Sequence, residues 1–179
     1  MPYEPISAFD IFKIGIGPSS SHTLGPWRAG QAFIQSLRDK NLLSGLKHLH
    51  VLLYGSLAKT GRGHGTDIAV QLGLAGFDPV IIDSSTIPSI IDEIKEKKSL
   101  GQMVSVSFNA STDIEFLVTE SLPYHPNALT FLADFHFPLL PHESSDSYLC
   151  TSASDLPLFQ LGRVVAFFSF YCLSLFPVQ

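Results

Sequence analysis

The segment Leu49-His-Val-Leu-Leu-Tyr-Gly-Ser-Leu-Ala-Lys-Thr-Gly-Arg-Gly-His-Gly-Thr-Asp67 sets the reading of the whole chain. Residues 49–54 have the apolar and aromatic composition of a short strand, and residues 55–67 read as a glycine-rich loop. Ile68 to Ala75 is apolar almost all round, as a helix buried against a sheet would be. Thr66 or Asp67 can cap that helix, and Gly76 can end it.

Upstream, Trp27, Phe33, Ile34 and Leu37 recur at helical spacing, with Pro26 suited to a first turn and Ser21 or Thr23 to an N-cap. Residues 15–23 then form a loop at a helix N-terminus. Downstream, Pro79 to Ile82 reads as a short strand. The segment from Ile87 to Lys98 reads as an amphipathic helix with proline in its first turn and lysines in its last. Met103–Phe108, Asp113–Val118 and Ala128–Leu132 have strand composition, most simply a run of antiparallel strands. Helices early and strands late, without strict alternation, predict an α+β fold: helices packed on a mostly antiparallel sheet.

Composition narrows the function classes. The chain has 179 residues, 45% apolar and 15% charged, enough for one core and for one main domain. Eleven Lys+Arg against sixteen Asp+Glu leave no basic surplus for a phosphate backbone, which argues against nucleic acid. Two cysteines, Cys150 and Cys172, cannot build a disulfide framework or a four-thiolate site. That usage, together with an N-terminus lacking an apolar signal core, predicts a reducing, cytoplasmic location. From about Phe135 the composition shifts to Pro, Ser and aromatic residues. The charge-free run Val164–Gln179 is shorter than the ~18–20 residues of a membrane-spanning helix, so no membrane association is expected.

Two segments carry candidate chemistry, Gly17-Pro-Ser-Ser-Ser-His-Thr23 and Lys59-Thr-Gly-Arg-Gly-His-Gly-Thr-Asp67. Each joins glycine or proline bends, hydroxyls and one histidine to a helix start. Exposed backbone N–H groups, a helix N-terminus and Ser/Thr hydroxyls together suit a small acidic ligand. Neither segment meets the P-loop or dinucleotide pattern. His22 and His64 can donate to a carboxylate or move a proton, or equally cap a turn or face solvent. Ser19, Ser20 and Ser21 lack a nucleophile elbow, so capping is the simpler role for at least one. Lys59 and Arg62 can fix a carboxylate or be ordinary solvated charges. His48 and His50 share a strand face but have no third ligand in any identifiable relation, so no metal is assigned to them.

Phe9-Asp-Ile-Phe-Lys-Ile-Gly-Ile-Gly-Pro-Ser-Ser-Ser-His-Thr-Leu-Gly-Pro26 closely resembles the opening of the iron–sulfur L-serine dehydratases. Residues 54–67, then Gly73-Leu-Ala-Gly76, Ile87-Pro88 and Leu122-Pro-Tyr-His-Pro-Asn-Ala-Leu-Thr-Phe131, are similar to later family segments in the same order. The resemblance covers residues 7–134 and corresponds to the family's N-terminal beta domain. It implies a carbon–nitrogen lyase, an L-serine ammonia-lyase that deaminates L-serine to pyruvate and ammonia in amino-acid catabolism that feeds gluconeogenesis. The implied cofactor is a [4Fe-4S] cluster held by cysteines of an alpha domain or subunit that this sequence does not contain.

By match to the motifs, His22 and His64 would be catalytic, and Ser19, Ser21, Thr23, Lys59 and Thr60 would bind substrate. Cys150 and Cys172 lie past the resemblance and are not carried over as ligands. Residues 135–179 read as a divergent tail, with a shifted frame or an early end as one origin and a poorly folding product as the dullest outcome. A domain of this type also resembles a regulatory domain of some phosphoglycerate dehydrogenases, which makes small-molecule sensing the alternative function. The oligomeric state is left open, a homo-oligomer included.

Overall fold

The computed structural model describes residues 17–100, 106–123, 125–136, 158–160 and 163–171. A π-helical turn at Ser20–Leu24 leads straight into α1 (Gly25–Asp39), followed by β1 (Leu46–Tyr54), α2 (Gly55–His64), α3 (Thr66–Leu74) and α4 (Ile87–Lys97). The short α5 (Ala110–Asp113), β2 (Ile114–Leu117) and β3 (Asn127–His136) complete the central part, and β4 (Leu158–Gln160) and β5 (Arg163–Tyr171) come last. The sheet order is β2-β1-β3-β5-β4. β1–β3, β3–β5 and β4–β5 pair antiparallel, whereas β1–β2 is parallel.

The expected combination of helices on a mostly antiparallel sheet is present. In β1, Leu49, Val51 and Leu53 are fully buried while His48, His50 and Leu52 are half-buried, the two-residue alternation of a strand with one face on a core. The register Leu49↔Ala133, Val51↔Phe131 and Leu53↔Leu129 extends that buried face across β3. Helix α1 covers it with Phe33, Ile34 and Leu37, and the Phe33 ring stacks on Phe131 at 4.7 Å between centroids. The expected apolar stripe of α1 is therefore its core-facing side, and Pro26 lies in its first turn.

Helices α1 and α3 cross where Gly30 and Gly73 remove side chains. A Cβ on Gly73 would overlap the Trp27 carbonyl oxygen, and one on Gly30 would lie 3.0 Å from the Leu74 nitrogen. Gly76, at φ +86°, ends α3 as expected, with Gly76 N–H donating to Gly73 and Phe77 N–H to Leu72. The Phe77 carbonyl then accepts from Trp27 Nε1 and Gln31 Nε2 of α1.

Five local expectations are corrected. The glycine-rich segment after β1 is a helix, α2, because Leu57, Ala58 and Gly61 bury against the sheet and only Gly55 and Gly65 need positive φ, +51° and +67°. Gly65, and neither Thr66 nor Asp67, occupies the N-cap position of α3. Ser21 and Thr23 do not cap α1; they lie inside the π-helical turn, whose N-cap position is Ser19. Residues 79–82 form a turn in which Asp78 accepts from the N–H groups of Val80, Ile81 and Ile82. The strand at 114–117 joins β1 in parallel, because the chain recrosses the helical layer before reaching it.

Of the strand expected at 103–108, residues 103–105 lie outside the described residues, and Ser107 bridges to His48 and Ser99. Cys150 and Cys172 also lie outside them. Residues 164–171 of the charge-free run belong to β5. Among the described residues no helix is long and apolar enough to cross a membrane.

Candidate functional site

The two histidine segments meet at the end of β1. Gly55 turns the chain from strand into α2 with a positive φ, and a side chain there would overlap the Pro126 carbonyl oxygen. Gly55 N–H donates to Glu120 O at 2.8 Å and Ser56 N–H to Pro126 O at 2.9 Å, which anchors the start of α2 on the segment leading into β3. From there Ser56, Thr60 and His64 follow at four-residue intervals and line one side of the helix. The Thr60 hydroxyl donates to Ser56 O, and the Thr60 carbonyl takes up the Nδ1 of His64 at 2.9 Å.

His22 enters from the π-helical turn. Its Nδ1 lies 2.9 Å from Ser21 Oγ and its Nε2 2.9 Å from Ser56 Oγ, while Ser21 Oγ is 3.3 Å from Ser19 Oγ. The His22 and His64 ring centroids are 4.9 Å apart. Two threonines tie the segments reciprocally: Thr23 Oγ1 donates to His64 O at 3.2 Å, and Thr66 Oγ1 to His22 O at 2.6 Å. Gly61 brings α2 within 3.0 Å of Thr66 Oγ1, measured from where a Cβ would stand.

This arrangement fixes proton positions. A carbonyl only accepts, so His64 Nδ1 carries a hydrogen and, in the neutral ring, Nε2 keeps its lone pair. His22 is flanked by hydroxyls on both nitrogens, and a hydroxyl serves as donor or acceptor, so the ring can change protonation without losing partners. Burial pushes the His22 imidazole below its ordinary 6.5, the nearby His64 ring lowers it further, and the Ser56 backbone partly opposes the shift.

A group that holds its proton less tightly when folded contributes stability that is complete above its unfolded pKa and fades as pH falls through the folded one. The stability margin of the wild type over His22→Gln is therefore expected to shrink as the pH drops below about 6.5. Urea denaturation at a series of pH values measures it, and parallel curves for the two proteins would show that His22 titrates normally.

Of the residues expected to act, Ser19, Ser21, His22, Thr23, Thr60 and His64 are brought together in one bonded cluster. Lys59 is exposed on α2, next to Thr60 and outside that cluster. Arg62 does not face the cluster; its guanidinium lies over the Phe116 ring, 4.4 Å from the centroid. Ser56 was not singled out from the sequence, and Thr66 only as a helix cap. Once α2 is recognised as a helix, the Ser56-Thr60-His64 spacing is the signal for the first. Away from this cluster, the structure adds Asp113 to His48 and His50 as a third group of metal-ligating type.

Residues 7–138 match the family described as serine dehydratase beta chain. The chain is 50% identical over 95 residues to L-serine dehydratase 1 of Escherichia coli (strain K12), covering 53% of this chain and 21% of that protein. It is 46% identical over 124 residues to L-serine dehydratase TdcG of the same organism, covering 69% and 26%. To the L-serine dehydratase of Streptomyces coelicolor (strain ATCC BAA-471 / A3(2) / M145) it is 44% identical over 133 residues, covering 72% and 29%. The chain thus spans less than a third of the length of these relatives. The match takes in every residue of the two-histidine cluster, and on it the chain belongs to the serine dehydratase beta chain family.

Proposed function

We propose that this chain is the beta-domain part of an L-serine ammonia-lyase, contributing substrate contacts and proton transfer to the conversion of L-serine to pyruvate and ammonia. The observation that carries the reading is the pair of imidazoles from two distant segments, 4.9 Å apart and cross-tied by Thr23 and Thr66. In this reading the beta domain occupies residues 7–134, and residues 135–179 form a divergent segment.

The chemistry follows from the partners. An imidazole with a lowered pKa is neutral at pH 7 and able to accept a proton, which makes His22 the stronger candidate to take the α-proton of serine. Ser21 and Ser56 orient the ring for that transfer, and His64, with its Nδ1 hydrogen committed, can accept at Nε2. Ser19, Thr23 and Thr60 supply hydroxyls near the site, and Lys59 supplies the positive charge that a carboxylate needs. Holding serine between these groups is worth a large part of the barrier through orientation alone.

A [4Fe-4S] cluster takes four cysteine thiolates. This chain has two cysteines, and the group formed by His48, His50 and Asp113 offers nitrogen and oxygen donors. The residues present do not fit a complete cluster site, so in this reading the cluster comes with an alpha domain.

The test is anaerobic serine turnover. Neither this chain nor a cluster-loaded serine dehydratase alpha domain is expected to release pyruvate alone, and their mixture is. Binding of serine by this chain with no turnover in the mixture would instead favour a sensing domain.

A further inference from the structure

We propose that His48, His50 and Asp113 form a binding site for a single Zn2+ ion, remote from the two-histidine cluster. The candidate ligand atoms of the three residues all lie within 4.8 Å of one another. His48 Nε2 stands 3.3 Å from Asp113 Oδ1. Ligands held at ~2.0–2.1 Å around a tetrahedral zinc are separated by about 3.3 Å, so this pair already has the required spacing.

The strands explain the convergence. His48 and His50 are two apart on β1 and project from the same face, with ring centroids 4.4 Å apart. β2 runs parallel to β1 with Val51 opposite Ile114, and Asp113, the last residue of α5, immediately precedes Ile114 at the end of β2 nearest His50. Asp113 is 4% exposed and held from behind: Asn109 N–H donates to Oδ2 at 2.7 Å and the Thr112 hydroxyl to Oδ1 at 2.8 Å. Supporting bonds of this kind orient a ligating carboxylate before the ion arrives.

A simple ion pair between His48 and Asp113 would account for one imidazole. It leaves His50, packed on His48 and in reach of the same carboxylate, without a reason. One divalent ion accounts for both rings, since each contributes a neutral nitrogen. Imidazoles suit Zn2+ and disfavour Mg2+ or Ca2+, and three protein ligands leave a fourth position for water. His48 and His50 are half-buried, so solvent reaches the site. Along β1, His48 and Tyr54 are roughly 20 Å apart at ~3.3 Å per residue, which separates this site from Ser56 and His22.

The experiment is a Co2+ titration of the untagged full chain, read by visible d–d absorption, followed by displacement with Zn2+. One equivalent is expected to bind with a tetrahedral nitrogen–oxygen spectrum. His50→Ala should weaken binding at least ~10-fold. His50→Gln should do the same and serves if the alanine variant fails to fold by circular dichroism. The double variant His22→Ala/His64→Ala should keep the spectrum and the stoichiometry. Absence of saturable binding up to ~1 mM Zn2+, unchanged affinity in the folded His50 variants, or loss of the site in the double variant would each overturn the assignment.

Discussion

Replacing His22 by alanine is expected to lower serine turnover by ~10²- to 10⁴-fold in the mixture with a cluster-bearing alpha domain, the usual worth of a positioned proton-transfer group. The loss should fall on kcat with KM nearly unchanged, because in the proposed role the ring acts on the reacting proton while the substrate contacts are made by other side chains. Ser56→Ala removes only the hydroxyl 2.9 Å from Nε2, so its effect should be smaller and in the same direction. Lys59→Ala, lying outside the bonded cluster, should raise KM and spare kcat. Wild-type turnover in His22→Ala would remove His22 from the reaction and leave His64, with its free Nε2, as the remaining imidazole. Steady-state kinetics under anaerobic conditions separate these cases.

Gly73→Ala is expected to weaken the fold at the crossing of α1 and α3. Helix propensity alone would make it stabilising by about 1 kcal/mol. Packing opposes that, because the added methyl overlaps the Trp27 carbonyl oxygen, a backbone atom that cannot rotate away. Relief requires α1 and α3 to move apart, and overpacking of this kind costs ~1–3 kcal/mol, occasionally more. Set against the propensity gain, the net expectation is a loss of about 1 kcal/mol, or ~2–4 °C in Tm for a chain of this size. Gly63→Ala is the control: a Cβ there meets nothing within 4 Å among the described residues, so the same propensity gain should appear unopposed. Urea denaturation of both variants decides the matter, and a stabilised Gly73→Ala protein would mean that the two helices can separate freely.

The contrast between these glycines also shows what could be read in advance. The helices α1 and α4 announce themselves through apolar spacing and a first-turn proline, and β1 through its apolar and aromatic composition, because each pattern is local. Helix α2 hides behind four glycines, Gly55, Gly61, Gly63 and Gly65, and is held by burial of Leu57 and Ala58, which depends on the sheet beneath. The direction of β2 is equally invisible, since alternation says which face is buried and nothing of which edge a strand joins. Within the site, loop chemistry pointed to the two segments, and the choice of His22, His64, Ser19, Ser21, Thr23 and Thr60 within them came with the family resemblance. Ser56 depended on α2 being a helix, and Asp113 depended on the parallel pairing that brings it to His48 and His50.

The reciprocal threonine bonds have a consequence for how the two segments respond to an occupant. Each hydroxyl grips the main-chain carbonyl of the other segment's histidine, so neither backbone can shift there without pulling on the far one. A molecule that tightens the serine-rich turn therefore also braces the start of α3. By thermodynamic reciprocity, an occupant of the turn and a molecule at α3 that both favour the tied arrangement would strengthen each other's binding by the same factor.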